Sequence, residues 1–536
     1  MTPFAGTWAL VRLILRRDRV IMPAWVLVLA LLPVSTASAT AALYTTDAAR
    51  QGYIDDLGKS ALLIAFYGPK PPPNLGALVF WRLATGMLIM AIIGVLVVIR
   101  HTRVEEEAGR RELVRSAAVG RYADLAAAIL ATAGASLVVG LLVALGMIGE
   151  HTPAAGSFAM GLAWASAGIM FAAVGAICAQ LTQSAAIARG LGLVVVAGSF
   201  ALRAIGDVAL QQGSGPTWLS WTPPLGLSYQ VRAYAENRWW VFLLVAALTA
   251  LLAAGAFAVS ARRDLGAGLV PSRPGPPVAA AYLRTPLALA WRLHRGTLTG
   301  WLVGFAAYGL LAGAVTQTAA DLVTGNRQLA EVLARLAGQT SPGDLFLASI
   351  LSLGGLVAAG YGISATLRMR AEESSLRVEN VLATPVTRVG WVRSHLTFAV
   401  AGPAVALACG GLAAGLLYGM DIADVGGEVP RAMAGALVQL PAVWVLAALT
   451  MAVYGALPRL AAPVGWVALA WCALLGQVGA LLNLSQWVLD LSPFTHIPHV
   501  PGGTVTATPL VVLTLIAVAL VAIGIGTFRT RDVPQT

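Results

Sequence analysis

Apolar runs long enough to cross a membrane recur along the whole chain, with polar segments between them. About 20 consecutive apolar residues span a bilayer core. The first half of the sequence holds six such runs, near 21–43, 78–99, 125–148, 157–182, 190–207 and 239–260. The second half holds six more, near 299–320, 345–367, 394–419, 432–456, 462–482 and 509–527. The pattern predicts an all-α membrane protein of about twelve transmembrane helices, arranged as two six-helix halves.

Composition and charge agree with a membrane protein and set its orientation. Hydrophobic residues make up 58% and charged residues 11% of the chain, whereas soluble domains carry roughly a quarter charged residues. The net charge of +11 does not indicate nucleic-acid binding, because arginine also accumulates in cytoplasmic loops. Most of the 35 basic residues fall in cytoplasmic segments when the N-terminus is placed inside. We therefore expect both termini in the cytoplasm.

A charged segment occurs twice, each time directly after a long apolar run. The first copy reads Arg103-x-Glu105-Glu106-x-x-x-Arg110-x-Glu112, and the second reads Arg370-x-Glu372-Glu373-x-x-x-Arg377-x-Glu379, 267 positions later. Each copy continues to a Val-x-Arg motif that ends at Arg121 or Arg388. The repeat predicts two similar halves, 1–263 and 285–536, joined by a Pro/Gly-rich cytoplasmic linker at 264–284. An even number of spans in each half predicts a parallel repeat about an axis along the membrane normal.

Each copy of the charged segment predicts a short helix exposed to the cytosol. In the first copy Glu105, Glu106 and Glu107 precede Arg110 and Arg111, the order that favours a helix dipole, and Thr102-x-x-Glu105 fits a capping box. Such a helix, continuous with a span, is a surface on which another protein can push. The alternative is an ordinary solvated loop. Residues 5–19 and 285–297 mix arginine with leucine and tryptophan, which predicts two further helices in the membrane interface.

Other functional classes are less well supported by the residues. An ion-coupled transporter usually carries acids inside its spans, but Asp207 lies near a membrane edge, four residues after Arg203, where the two can pair. The histidines are scattered, and His496-x-x-His499 reads as a loop, so neither a catalytic cluster nor a metal site is predicted. Gly58-Lys59-Ser60 lacks the glycine that a phosphate-binding loop needs five positions before its second glycine.

The chain resembles ABC exporter permeases of the ABC-2 type (type V exporter-like), above all the fused twelve-span permeases of actinobacteria that export polyketide antibiotics. The resemblance rests on Thr102–Val114, Arg262–Gly268 and Leu289–Arg292. It implies a non-enzymatic multidrug permease in the bacterial plasma membrane that exports small lipophilic antibiotics by alternating access. ATP and Mg would be bound by two copies of a separate ATP-binding subunit, and this chain itself would hold no cofactor. Export of a lipid or glycolipid is the alternative, and ion-coupled transport is a weaker one.

The resemblance also assigns roles to residues. Segments 103–115 and 370–382 would be coupling helices, each seated in one ATPase subunit. The coupling residues would be Arg103, Glu105, Glu106, Glu107, Arg110, Glu112, Arg370, Glu372, Glu373, Arg377 and Glu379. The second copy has Ser374-Ser375 where the first has Glu107-Ala108, which implies unequal coupling.

The second and fifth spans of each half would line the substrate path. Methionine and aromatic side chains make adaptable apolar surfaces, although ordinary helix packing uses them as well. The candidate lining residues are Met87, Met90, Phe200, Tyr361, Trp471 and Gln477.

Overall fold

The computed structural model describes residues 2–58, 61–111, 119–213, 215–264, 266–270, 277–325, 341–478, 485–503 and 506–532. Within these ranges the chain is helical and contains no strand. It divides into two compact units, Met1–Gly275 and Pro276–Thr536. Residues 265 and 271–276 of the expected linker lie outside the described ranges.

Both units are built from long apolar helices connected by short ones. The first unit contains α1 Thr7–Arg17, α2 Ile21–Leu43, α3 Asp47–Leu57, α4 Ala61–Tyr67, α5 Leu75–Arg82, α6 Thr85–His101, α7 Arg103–Glu107, α8 Ala123–Gly149, α9 Ala154–Leu181, α10 Ala185–Gln212, α11 Pro224–Tyr229 and α12 Val241–Ala261. The second contains α13 Pro286–Gly325, α14 Pro342–Ser374, α15 Arg377–Leu382, α16 Arg388–Asp421, α17 Val425–Leu437, α18 Leu440–Ala456, α19 Ala461–Val478, α20 Gln486–Leu489 and α21 Ala507–Thr530.

Eleven helical stretches among the described residues are long and apolar enough to cross a membrane. They confirm the expected all-α, multi-span membrane protein. The remaining predicted span, 462–482, coincides with α19, of which Ala461–Leu475 is a shorter apolar helix. Residues 479–484 lie outside the described ranges.

The fourth span, α9, forms the centre of the first unit. In its most apolar window 83% of the residues are buried, against 17% in α12. Alanine and glycine on α9 let the neighbouring backbones come close. A Cβ added to Gly161 of α9 would lie 2.1 Å from the carbonyl oxygen of Gly140 on α8. This contact excludes any larger side chain and fixes the spacing of the two helices.

The second span is not the single helix that we predict at 78–99. The chain forms α5, breaks at Leu83–Ala84 and resumes as α6. Two aromatic side chains satisfy backbone groups near the break, because the Trp81 indole donates to the Gly68 carbonyl at 2.9 Å and the Tyr229 hydroxyl donates to the Ala84 carbonyl at 2.5 Å.

The two expected interfacial helices have different outcomes. The first exists as the separate helix α1, which begins after Gly6, whose φ is 84°. The second prediction is wrong, because residues 286–297 continue without a break into the first span of the second unit as part of α13. The turn at residues 18–20, which separates α1 from α2, has no counterpart within α13.

Candidate functional site

The first charged segment begins with a bend in the backbone. Thr102 has φ −118° and ψ −76°, and its hydroxyl donates back to the Val98 carbonyl at 2.6 Å. The expected capping box is therefore wrong, because the hydroxyl is already used and Glu105 turns to other partners. The helix that follows, α7, ends at Glu107. Glu112 and the rest of 112–118 lie outside the described residues.

Glu106 is the centre of a buried ion cluster. Its carboxylate accepts hydrogen bonds from Arg263 at 2.6 and 2.8 Å, from Arg111 at 2.7 Å and from the Gly266 amide at 2.8 Å. Arg103 lies 3.1 Å away. The side chains of Glu106 and Arg103 are only 3% and 1% exposed. A buried charge is tolerated only when it is paired and hydrogen-bonded. Here one carboxylate meets two guanidinium groups from its own segment, Arg103 and Arg111, and one from 157 positions away, Arg263.

The three consecutive glutamates reach three different elements. Glu105 binds Arg17 of α1 at 2.6 Å. Glu106 binds Arg263, which follows the last span of the unit. Glu107 accepts from the Ala185 amide at 3.0 Å, at the start of the fifth span. We call Glu105, Glu106 and Glu107 with these partners the first hub.

Further bonds attach the first hub to the third and sixth spans. Arg111 donates to Asp124 at 2.8 Å, in the first turn of the third span. Arg121 donates to the carbonyl oxygens of Ser260 and Ala261 at the end of the sixth span, at 3.3 and 2.6 Å. The segment after the second span is therefore bonded to α1 and to the ends of the third, fifth and sixth spans. Arg263 also reaches Gln180 of the fourth span at 2.7 Å.

The second charged segment forms a simpler cluster. The long helix α14 runs through Glu372 and Glu373 and ends at Ser374. Glu373 accepts from the Tyr454 hydroxyl at 2.6 Å and from Arg531 at 2.8 Å. Glu372 pairs with Arg368 at 2.9 Å and with Arg377 at 3.0 Å. We call Glu372, Glu373 and these partners the second hub.

The two hubs share one ion pair, formed by residues at equivalent positions of the two repeats. Glu106 and Glu373 each bind an arginine just after the last span of the unit, Arg263 or Arg531. Arg121 and Arg388 each donate to carbonyl oxygens at the end of that same span; Arg388 does so to Arg531 at 2.6 Å. The sequence repeat is thus also a repeat of contacts.

The exposed turns beyond the hubs match as well. The first tip, Glu107–Arg110, contains Gly109 at φ 71°, and the second tip, Ser374–Arg377, contains Leu376 at φ 59°. The Arg110 and Arg377 side chains are 51% and 60% exposed. Hydrogen bonding to Glu105 raises the pKa of Arg110 above its ordinary value, so this guanidinium stays cationic. Two exposed turns of like geometry therefore project beyond two buried clusters.

Comparison with known proteins decides the family. Residues 283–529 match the family described as the C-terminal domain of the multidrug efflux system permease Rv1217c. The chain is 44% identical over 532 residues to the multidrug efflux system permease protein Rv1217c of Mycobacterium tuberculosis (strain ATCC 25618 / H37Rv), which covers 99% of this chain and 96% of that protein.

The chain belongs to the Rv1217c family of multidrug efflux permeases. The match confirms the sequence-based resemblance to actinobacterial multidrug exporter permeases, and it extends over nearly the full length of both proteins. The charged segments of this Rv1217c-family permease lie inside the aligned length.

The expectation of fully exposed charged helices is wrong for part of each segment. Arg103 is buried, as are the carboxylates of Glu106, Glu372 and Glu373, because each meets partners from its own unit. Arg370 and Glu379 are half-buried, and the segment 370–382 is two helices separated by the turn at Leu376 rather than one. Among the described residues of the two segments, the exposed ones are concentrated at the two tips.

The proposed path residues of this permease occupy different surroundings. Met87, Met90 and Tyr361 are enclosed by helix packing inside their own units. Phe200 is half-buried and packs edge-on against Phe66, with ring centroids 5.4 Å apart. The Trp471 side chain is 47% exposed, and the side chain of Gln477 lies outside the described residues. Their role as path residues stays a prediction.

The structure confirms one predicted pair and adds two that sequence reasoning missed. Arg203 and Asp207 form the expected ion pair at 2.8 Å. His294 and His395 are buried and lie 3.0 Å apart, although they are 101 positions apart in sequence. Arg431 bridges Asp344 and Glu428 in the second unit at 2.7 and 2.5 Å. Glu428 lies three residues before Arg431 on α17, but no local spacing signals the His294–His395 or Arg431–Asp344 contact, because those partners come from different helices.

Proposed function

We propose that this chain is the permease subunit of an ATP-driven ABC exporter of lipophilic drugs or antibiotics. The relative Rv1217c is named a multidrug efflux system permease, and this chain aligns with it almost end to end. ATP and Mg are bound and ATP is hydrolysed in a separate subunit. The permease supplies the membrane path and the surfaces on which that subunit acts.

The duplicated tie between the charged segment and the end of the last span carries the proposal. Glu106–Arg263 and Glu373–Arg531 each join the loop after the second span of a unit to the segment after its sixth. Packed, hydrogen-bonded networks transmit displacement because they are rigid. A force applied at a tip therefore moves the ends of several spans together instead of bending one loop.

Two tips suit two copies of one partner. Each tip is an exposed turn with a left-handed residue at the same place and an exposed arginine one position later. We assign the tips as the contacts to two ATP-binding subunits. Approach of these subunits on binding ATP, and their separation after hydrolysis, would rock the two halves between inward- and outward-facing states.

The orientation follows from the same assignment. The hubs and tips lie on the cytoplasmic side of a bacterial plasma membrane, and both termini are cytoplasmic, as the distribution of arginine predicts. Met87, Met90, Phe200, Tyr361, Trp471 and Gln477 remain candidates for surfaces that the substrate meets during the transition. Several of them are buried in the present conformation, so they would have to be uncovered by motion.

Charge reversal at the two tips tests the proposal. Arg110→Glu with Arg377→Glu should abolish recruitment of the ATP-binding subunit and ATP-driven drug export by proteoliposomes. The permease should lose no more than about 1–2 kcal/mol of stability, because both arginines are more than half exposed, although their partners Glu105 and Glu372 are not. The matched control is Arg284→Glu, an exposed charge reversal away from both tips. Reversal of Glu106 or Glu373 is unsuitable, since it would place a second cation against the arginine that each buried carboxylate now binds.

The outcomes separate the alternatives. Export by the tip variant at the wild-type rate would overturn the assignment of the tips. Export by permease alone, driven by an ion gradient, would indicate a secondary transporter. Movement of fluorescent lipid with no drug export would indicate a lipid or glycolipid exporter with the same mechanism.

A further inference from the structure

The first unit contains a cavity of about 490 Å³ far from its hub. The cavity is formed by the loop before α5, by α5 itself and by the segment 229–236, next to the start of the second span. The first hub lies beyond the other end of α6, a helix of 17 residues, which corresponds to a length of about 25 Å. The cavity is therefore separate from the coupling surfaces and belongs to one unit alone.

The walls of the cavity are aromatic and held in place by the protein. Tyr67, Phe80, Trp81, Tyr229 and Tyr234 contribute to the lining. The Trp81 indole and the Tyr229 hydroxyl bond to backbone carbonyls. The Tyr234 hydroxyl bonds to Ser157 at 2.9 Å and to Thr152 at 3.1 Å, and burial raises the pKa of Tyr234. Three of these rings are thus fixed by their polar ends, and they are almost enclosed, with only 3% of Trp81 and 8% each of Tyr229 and Tyr234 exposed.

A buried ion pair anchors the wall from behind. Arg203 bonds Asp207 at 2.8 Å and the Ala65 carbonyl at 2.5 Å, and its guanidinium lies 4.1 Å from the centre of the Tyr229 ring. The Ser220 hydroxyl donates to the second oxygen of Asp207 at 2.7 Å. Asp207 also lines the cavity, but its charge is already balanced by Arg203. A ligand therefore does not need a positive charge to pair with it.

The rim of the cavity carries charges that are paired with each other. Lys70 lies 3.2 Å from Asp55, and Arg232 lies 3.0 Å from Glu236. The hydrogen bond from Arg238 holds the pKa of Glu236 below its usual range, which keeps the carboxylate ionised. A ligand therefore meets apolar rings inside and balanced polar groups at the mouth.

The segment that closes the cavity is held in an unfavourable backbone conformation. Arg232, Tyr234 and Asn237 have φ values of 46°, 62° and 44°. Non-glycine residues rarely adopt this region, and those that do cluster at ligand sites. Asn237 supports the shape by accepting from the Tyr234 amide at 2.8 Å, and Asn74 donates to the Tyr234 carbonyl at 3.1 Å. The fold thus maintains a strained wall around an open space.

We propose that this cavity binds a flat, polycyclic aromatic small molecule that carries a polar substituent. Ligand pockets of roughly 300–1,000 Å³ are mostly apolar with a few placed polar groups, and this cavity fits that description. The ring system of the ligand packs against Tyr67, which is half-buried, and the polar end of the ligand lies near Lys70 and Glu236. The role of such a ligand as exported cargo rests on the proposed function, whereas its binding does not require ATP.

Doxorubicin, a fluorescent polycyclic aromatic compound with an amino sugar, is the probe for the test. Its fluorescence anisotropy is titrated with purified permease in lipid nanodiscs without ATPase subunits, and empty nanodiscs supply the background. Ala235→Trp fills the cavity from an exposed lining residue and should weaken binding by at least about tenfold. Tyr67→Ala removes a wall and should weaken it by about fivefold. Tyr67→Phe, which keeps the ring, and Tyr282→Ala, an exposed tyrosine elsewhere, should stay within about twofold of wild type.

Equal affinity of wild type and Ala235→Trp, or no saturable binding by wild type, overturns the cavity assignment. Failure of the proposed export function is distinguishable from this result. If binding depends on Tyr67 and Ala235 but ATP-driven export is absent, the pocket stands and the export proposal fails. If export occurs and the binding is insensitive to both substitutions, the export proposal stands and the pocket fails.

Discussion

The two hubs contain the same pattern of charged residues, but the charge of the buried glutamate is balanced by different partners in each. In the first hub three guanidinium groups surround Glu106, and all four side chains are at most 7% exposed. In the second hub Glu373 meets one guanidinium and one tyrosine, and Arg531 is 15% exposed. Both keep the bond to the arginine that follows the last span. The comparison indicates that both halves transmit force through this glutamate–arginine bond. The surrounding side chains determine how rigid the bond is in each half.

Replacement of the central glutamate by alanine should give the largest difference in stability between the two hubs. Glu106→Ala takes the carboxylate away from buried Arg103 and Arg263, while Arg111 keeps its bond to Asp124. Removing one partner of a buried ion pair costs about 3–5 kcal/mol. Glu373→Ala leaves one partly solvated arginine and one tyrosine, at about 1–3 kcal/mol. The unfolding midpoint of the purified permease, followed by tryptophan fluorescence, measures the difference. Glu150→Ala is the control, because that carboxylate accepts an exposed hydrogen bond from Ser38. Equal losses for Glu106→Ala and Glu373→Ala would remove the distinction between the hubs.

Replacement of the shared arginine by lysine should have the next largest effect. Arg263 binds both oxygens of Glu106 and also reaches Gln180 and the Ala267 carbonyl, and lysine cannot reproduce such a fork. Arg263→Lys should cost about 2 kcal/mol and Arg531→Lys about 1 kcal/mol. Hydrogen exchange at the amides of 266–270 should accelerate in Arg263→Lys. Unchanged protection there would show that the segment is held by its backbone bonds to α9.

Gly109 and Leu376, the residues with positive φ in the two tips, allow a test in which two substitutions should change protein stability in opposite directions. Gly109→Ala meets no atom within 4 Å, so its cost of about 1 kcal/mol comes from backbone conformation alone. Leu376→Gly relieves a strained residue and should stabilise the second unit by up to about 1 kcal/mol. Because Leu376 is 40% exposed, its loss should nevertheless weaken recruitment of the ATPase, measured by co-purification. A variant that is more stable and recruits normally would exclude Leu376 from the docking surface.

Exchange of the third glutamate should give the smallest change. Glu107→Ser removes the acceptor for the Ala185 amide, and loss of such a cap costs about 1 kcal/mol. Ser374→Glu places a carboxylate where the serine hydroxyl now donates to the Ala371 carbonyl at 3.2 Å, and should be nearly neutral in stability. ATPase activity of the two reconstituted complexes shows whether the additional tie in the first unit alters coupling. Identical rates would show that the asymmetry has no role in coupling.

The sequence alone was sufficient for the membrane class and for the approximate positions of eleven of the twelve predicted spans, because long apolar runs are local signals. The pair Arg203–Asp207 was also predictable, since residues four apart share a helix face. The break between α5 and α6 was not, because residues 78–99 form one continuous apolar run and the groups that stabilise the break come from Tyr229 and Gly68.

The burial of the charged segments could not be predicted for a related reason. The partners of Glu106 include Arg263, 157 positions away, and no spacing rule links them. A run of acidic residues and arginines has the same sequence whether its side chains are hydrogen-bonded to water or to other parts of the protein. The capping box failed at Thr102 because a competing bond to Val98 was geometrically available. The continuous helix α13 replaced an expected interfacial helix because nothing between Pro286 and the following span interrupts it.

The contrast between enclosed clusters and open tips has a practical consequence for handling the protein. Salt at about 1 M shortens the Debye length to about 3 Å, from about 8 Å at physiological ionic strength. Counter-ions reach Arg110 and Arg377, whereas they have no access to the carboxylate of Glu106. A concentrated salt wash should therefore release the proposed ATP-binding subunits from the tips and leave the permease folded. Dilution would then allow reassembly, so chimeric pairings could be made without refolding.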